Sequence, residues 1–99
     1  MKFGLSPEEH RYICEVVIKP LTLNGAKVFC FGSRARGDHQ AFSDLDLMVE
    51  SHQDLSKEIG QLSEELTKGN FPYKVDLVEL RNFSNHYLKT YQKEKILFT

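Results

Sequence analysis

The stretch AKVFCFGSRARGDHQAFSDLDLMVE, residues 26–50, divides into three parts whose reading decides the fold. Ala26 to Phe31 is short, almost wholly apolar and rich in Val and Phe, the pattern of a strand buried on both faces in the middle of a sheet. Gly32 to Phe42 brings two glycines, two arginines and few apolar residues, which predicts a loop with room for one helical turn. Asp44 to Glu50 alternates polar and apolar at its start and predicts a second strand.

Helical signals lie on both sides of this core. Ser6, Pro7 and Glu9 form a capping box with proline at the first helical position, and Tyr12, Ile13, Val16 and Val17 supply one apolar stripe. Pro20 is expected to end or kink that helix near Lys19, with Asn24-Gly25 as the final turn. Downstream, Leu55, Ile59, Leu62 and Leu66 predict a second helix over about Asp54 to Lys68, closed by Gly69-Asn70. Tyr73 to Leu80, just after Pro72, predicts a third strand. Phe83 to Lys95 predicts a third helix with Phe83, Tyr87 and Tyr91 as a core stripe. The expected architecture is α/β (α+β), with helices around a small sheet.

Ninety-nine residues suit one domain over residues 1–99, since a chain of this size buries roughly two-thirds of its unfolded surface. Thirteen basic and fourteen acidic residues leave a net charge of −1, which disfavours binding nucleic acid or a membrane through a basic field. No apolar run approaches the ~20 residues that span a bilayer, and no apolar signal core precedes Ser6. Cys14 and Cys30 form no CxxC pair and read as reduced, buried thiols of a cytoplasmic protein.

Chemistry concentrates between Gly32 and Asp46. On an extended strand, residues two apart share a face, so Asp44 and Asp46 would aim their carboxylates side by side while Leu45 and Leu47 pack on the other face. Two carboxylates so close repel unless something positive joins them, and a hard divalent cation with oxygen ligands is the natural answer. Asp76, between Val75 and Leu77, would bring a third carboxylate from an adjacent strand, enough to hold two Mg²⁺ ions for an in-line phosphoryl displacement. Gly32 lets the backbone approach a phosphate, Ser33 offers a hydroxyl and an amide, and Arg34 and Arg36 add charge for a triphosphate. Together these residues describe nucleotidyl transfer.

Gly-Ser followed ten residues later by Asp-x-Asp, here GSRARGDHQAFSDLDL, resembles the signature of the DNA polymerase β-like nucleotidyltransferase superfamily. The GSxARG opening and SDLDL close are similar in particular to the minimal nucleotidyltransferases. Four fixed positions at this spacing recur by chance on the order of once in a thousand chains of this length. The resemblance implies a nucleotidyltransferase fold with a short mixed sheet of three to four strands and about three helices. It implies metal binding by Asp44, Asp46 and Asp76, and triphosphate binding by Gly32 and Ser33, with Arg36 the favoured arginine. It further implies AMP transfer from ATP to a tyrosine of a helical HEPN toxin, with this chain as antitoxin. A non-catalytic docking module, and a small-molecule transferase completed by homodimerisation, are the alternative functions. No direct nucleic-acid or membrane partner is expected.

Other features have ordinary readings. Arg34 and Arg36 are as well explained by a charged loop as by a triphosphate. Arg81 and His86 match the Arg-x4-His spacing of small ribonuclease toxins, yet lie among Asn82, Ser84 and Asn85 on what reads as a solvated face. His10, His39 and His52 have no partners at ligand-like spacing and read as surface residues.

Overall fold

The capping box forms as the sequence predicts: the Ser6 hydroxyl accepts from the Glu9 N–H at 3.1 Å, and the Glu9 carboxylate accepts from the Ser6 N–H at 2.8 Å. From there α1 runs over Pro7–Ile13, and the computed structural model, which describes residues 2–99, shows that Pro20 does not end the helical path. Residues Cys14–Ile18 are wound as a π-helix, with the Lys19 N–H bonded five residues back to the Cys14 carbonyl, and α2 continues over Lys19–Leu23. Proline has no N–H to give and its ring crowds the carbonyl four residues back. The wider turn just before it lets the chain pass, so where an end or a kink was expected the helix changes its winding. Asn24-Gly25 then closes the element, with Gly25 at φ 86°.

Four strands form one mixed sheet in the order β3-β2-β1-β4: β1 Lys27–Phe31, β2 Leu45–Glu50, β3 Val75–Glu79 and β4 Ile96–Leu97. β1 pairs antiparallel with β2 and β4, whereas β2 and β3 are parallel. Between β1 and β2 lies one helical turn, α3, Ser33–Arg36. The crossover from β2 to β3 carries α4, Ser56–Lys68, as parallel pairing requires. The Asp54 side chain accepts from the Ser56 N–H at its start.

The helix layer buries Ile13, Val17 and Leu21 together with Ile59, Leu62 and Leu66 against Val28, Cys30, Leu45, Leu47 and Val49. β1 is interior as expected but not buried on both faces: Val28 and Cys30 are, whereas Phe29 and Phe31 are half-buried under the C-terminal elements. There Phe31 packs edge-on to Phe83 and Tyr91, and the Lys95 ammonium lies over the Phe29 ring. Cys30 is buried and Cys14 only partly so, both as free thiols.

The predicted third helix is shorter and broken. Ser84 caps a 3-10 turn at Asn85–Tyr87, and α5 spans Leu88–Glu94. Changing from the tighter turn to α winding breaks the four-residue stripe. Tyr91 enters the core, but Tyr87 is 60% exposed and Phe83 precedes the helical segments. β4 carries no usable sequence signal, because two residues are too few to show alternation. Among the described residues no helix is long and apolar enough to cross a membrane.

Candidate active site

Gly32 ends β1 at φ 75°, ψ −157°, a backbone conformation that L side chains rarely adopt. Space forbids a side chain there too: a Cβ would stand 2.6 Å from the Asp46 carboxylate oxygen. The backbone of the loop and the carboxylate of β2 therefore touch, as Phe31 opposite Asp46 in the antiparallel register requires. The α3 turn is satisfied internally, with the Ala35 and Arg36 N–H groups donating to the Gly32 carbonyl and Gly37, at φ 86°, closing onto the Ser33 carbonyl.

The parallel register places Asp46 beside Asp76, with Leu45 beside Val75 and Leu47 beside Leu77. Both aspartates thus stand on the sheet face away from the helix layer. Asp44 lies one residue before β2, on exposed backbone rather than within the strand, yet its charge still reaches Asp46. Burial holds the Asp46 carboxyl up at about 6, reinforced by the charges of Asp76 and Asp44 and by a hydrogen bond shared with Asp76. Lys74 works in the opposite direction, its ammonium 3.7 Å from Asp76, but it is an exposed side chain.

These residues fit a divalent cation by their chemistry. All three donors are hard oxygens, their charges oppose one another, and the nearby lysine offsets them only in part. As the side chains stand, no three His, Cys, Asp or Glu side chains among the described residues form a group that would hold an ion.

The two arginines of α3 do different things. Arg34 is 3% exposed: its guanidinium donates to the Phe3 carbonyl at 2.9 Å and the Ser43 carbonyl at 3.0 Å and lies 4.1 Å over the Tyr73 ring. It ties the N-terminal turn, the loop and the approach to β3 together, and its donors face these carbonyls rather than the aspartates. Arg36 is half-exposed and donates to Asp38 at 3.0 Å and to Glu94 at 2.8 Å. Glu94 also accepts from the Gly32 N–H at 3.1 Å. Glu94 escaped sequence reasoning because it meets the site only through folding of a distant segment, whereas Lys74, two residues before Asp76, was signalled by the strand period and passed over.

Clefts flank the carboxylates on two sides. One of about 240 Å³ is lined by Phe31, Gly32, Arg36, Tyr87, Thr90 and Glu94, and one of about 520 Å³ includes Tyr73, Lys74 and Asp76. Arg81 and His86 are exposed, as a solvated face predicts. His10 is more engaged than a surface residue, stacking on Phe98 and bonding the Thr99 carbonyl at 2.7 Å. His39 packs against Gly4 with its Nδ1 buried and unpartnered among the described residues.

The model of the family described as Polymerase beta, Nucleotidyltransferase matches residues 21–99. Among solved structures, a protein assigned as a minimal nucleotidyltransferase is 29% identical, with 94% of this chain and 96% of that chain covered and a TM-score of 0.69. A toxin–antitoxin crystal structure with AMP-PNP is 23% identical over 86% of this chain and 71% of that one, TM-score 0.63. A protein from Sulfolobus solfataricus assigned as a nucleotidyltransferase is 19% identical over 95% and 88%, TM-score 0.51. The last two likenesses show the fold alone. No curated protein matches the sequence.

Proposed function

This chain belongs to the polymerase beta nucleotidyltransferase family, and from that premise we propose that it transfers AMP from ATP, with Mg²⁺, to a tyrosine hydroxyl of a partner protein. The observation that carries this reading is the contact of Gly32 with Asp46 in register with Asp76, which joins a phosphate-type loop to a carboxylate cluster.

Gly32 presents its N–H to the triphosphate, Ser33 adds its hydroxyl and amide, and Arg36, half-exposed at the far end of α3, brings charge. Arg34 braces the loop that positions them. Asp44 and Asp46 would hold both metal ions and Asp76 would complete one of them. Bound there, the pair would supply Lewis-acid stabilisation of the charge that develops in an in-line displacement. The acceptor oxygen forms a bond to the α-phosphorus as the bond to pyrophosphate breaks, and the acceptor proton passes to Asp76.

The partner is proposed to be a helical HEPN toxin that this chain neutralises. The toxin–antitoxin likeness supports a partner, and so does Phe42, an apolar side chain 76% exposed on the loop beside the site and held at φ 65°. The same residue favours a second reading in which docking alone neutralises the partner. ATP as donor and unpaired thiols suit a cytoplasmic protein.

Incubation with Mg²⁺ and each labelled NTP, with and without the protein encoded next door, followed by intact mass, tests the proposal. A mass gain of one or more AMP units on the partner, absent with Asp44→Asn, is expected. Full labelling by Asp44→Asn would overturn the catalytic reading, and neutralisation that survives without labelling would favour docking.

A further inference from the structure

Gly32 and Arg36 contribute donors of different kinds, a backbone N–H and a guanidinium, from the two ends of the α3 turn. Both already converge on one anion. The Glu94 carboxylate accepts from Gly32 N through Oε2 at 3.1 Å and from Arg36 Nη1 through Oε1 at 2.8 Å. Its side chain is only 15% exposed, whereas the other carboxylate on Arg36, Asp38, is 62% exposed. Exposed pairs of the latter kind contribute little, while a sheltered, two-point contact is the stronger one.

Nor is Glu94 a wandering surface side chain. It ends α5, and that helix is fastened to β2 by the Tyr91 hydroxyl donating to Glu50 and by Lys95 donating to the same carboxylate at 3.0 Å. A fixed helix therefore delivers a carboxylate to a backbone N–H and a guanidinium. Carboxylate and phosphate oxygens seek the same donors, and two anions cannot share them without repulsion.

We propose that Glu94 is an internal anion seated in the triphosphate cradle of the nucleotide-free chain, and that a polyphosphate binds by displacing it. The inference rests on the assignment of Gly32 and Arg36 to phosphate binding. The Glu94 side chain borders the cleft of Phe31, Tyr87 and Thr90, which is where displacement would turn it. It also sets a threshold for entry: an anion must satisfy both donors and outweigh the carboxylate, which a triphosphate does better than a single phosphate.

Calorimetric titration of the full chain with magnesium tripolyphosphate tests this. Glu94→Gln, which removes the competing charge, is expected to bind about tenfold tighter, and Arg36→Gln about tenfold weaker. A purely structural Glu94 would give the opposite sign, because loosening the loop weakens binding. Should Arg36→Gln weaken binding while Glu94→Gln leaves it unchanged or weaker, displacement is overturned and the phosphate assignment stands. Should Arg36→Gln have no effect, or should neither wild type nor Glu94→Gln bind, the phosphate assignment itself fails. A readout on the unmutated chain guards against a misfolded variant. On adding tripolyphosphate, the Gly32 amide resonance should move and the Glu94 carboxyl-carbon resonance should shift toward that of a solvated glutamate. Saturation with the Glu94 signal unmoved would overturn displacement.

Discussion

Along β2, Leu45, Leu47 and Val49 point into the helix layer and are buried, while Asp46 and Glu50 stand on the opposite face among other charges. The first face is apolar packing with one polar group to satisfy, the buried carboxylate of Glu79 beside Val49, which accepts from the Leu55 N–H. The second holds buried Met48 between two kinds of carboxylate: Asp46, in mutual repulsion with Asp76 and offset only by exposed Lys74, and Glu50, paired with Lys95 and Tyr91. Such a cluster opposes folding, and the chain tolerates it because the other face of the same strands supplies the stability. Stability and chemistry are thus separated by the two-residue period of a strand.

Substitutions at adjacent positions should break the comparison in opposite ways. Asp46→Asn is expected to lower transfer on the order of 10³-fold. The same change should raise the melting temperature of the metal-free chain by ~4–8 °C, as relief of about 1 kcal/mol of repulsion would. Added Mg²⁺ should stabilise the wild type and not this variant. A lower melting temperature for Asp46→Asn would show that the two faces are not separable in this way. Its neighbour behaves otherwise: Leu47→Ala should cost about 3 kcal/mol, or ~12 °C or more, and lose transfer only through unfolding.

Arg34 sharpens the boundary between support and chemistry. Arg34→Gln leaves the Phe3 and Ser43 carbonyls short of donors and should destabilise by about 2 kcal/mol in urea unfolding. Unchanged stability together with weaker nucleotide affinity would make it a triphosphate ligand instead. The smallest effect belongs to the thiols. Burial, with the Asp46 charge adding, pushes Cys30 up to about 12 from an ordinary 9.0. Its folded form therefore holds the proton more tightly than the unfolded chain, and its support for the fold is withdrawn as pH rises from 9 toward 12. A thiol reagent at pH 8 should modify Cys14 first and Cys30 only on unfolding.

What the sequence disclosed was local. Ser6-Pro7-Glu9, the run to Phe31, Gly32-Ser33 and Asp44-x-Asp46 are each written in a few neighbouring residues, and the expected mixed sheet and helices formed around them. Asp76 was legible through its apolar neighbours, which fixed its face. Arg34 was not, since a guanidinium in a polar loop looks solvated until Phe3 and Tyr73 close over it. Glu94 lies 62 residues from Gly32, and no spacing rule links them. β4 depends on pairing with β1, not on periodicity, and the 3-10 turn at Tyr87 rests on its Ser84 cap. Pro20 was read correctly as an obstacle, but the π-wound turn that accommodates it has no signature of its own.

The parallel pairing of β2 with β3 also sets a timetable. β1, the loop and β2 form a local antiparallel unit, so Gly32 and Asp46 meet across a short closure. Asp76 joins only after the whole α4 crossover has folded back, a non-local contact that forms slowly. The carboxylate cluster is thus expected to be completed late in folding, with its repulsion falling on a sheet that is largely assembled rather than on one still searching for its register.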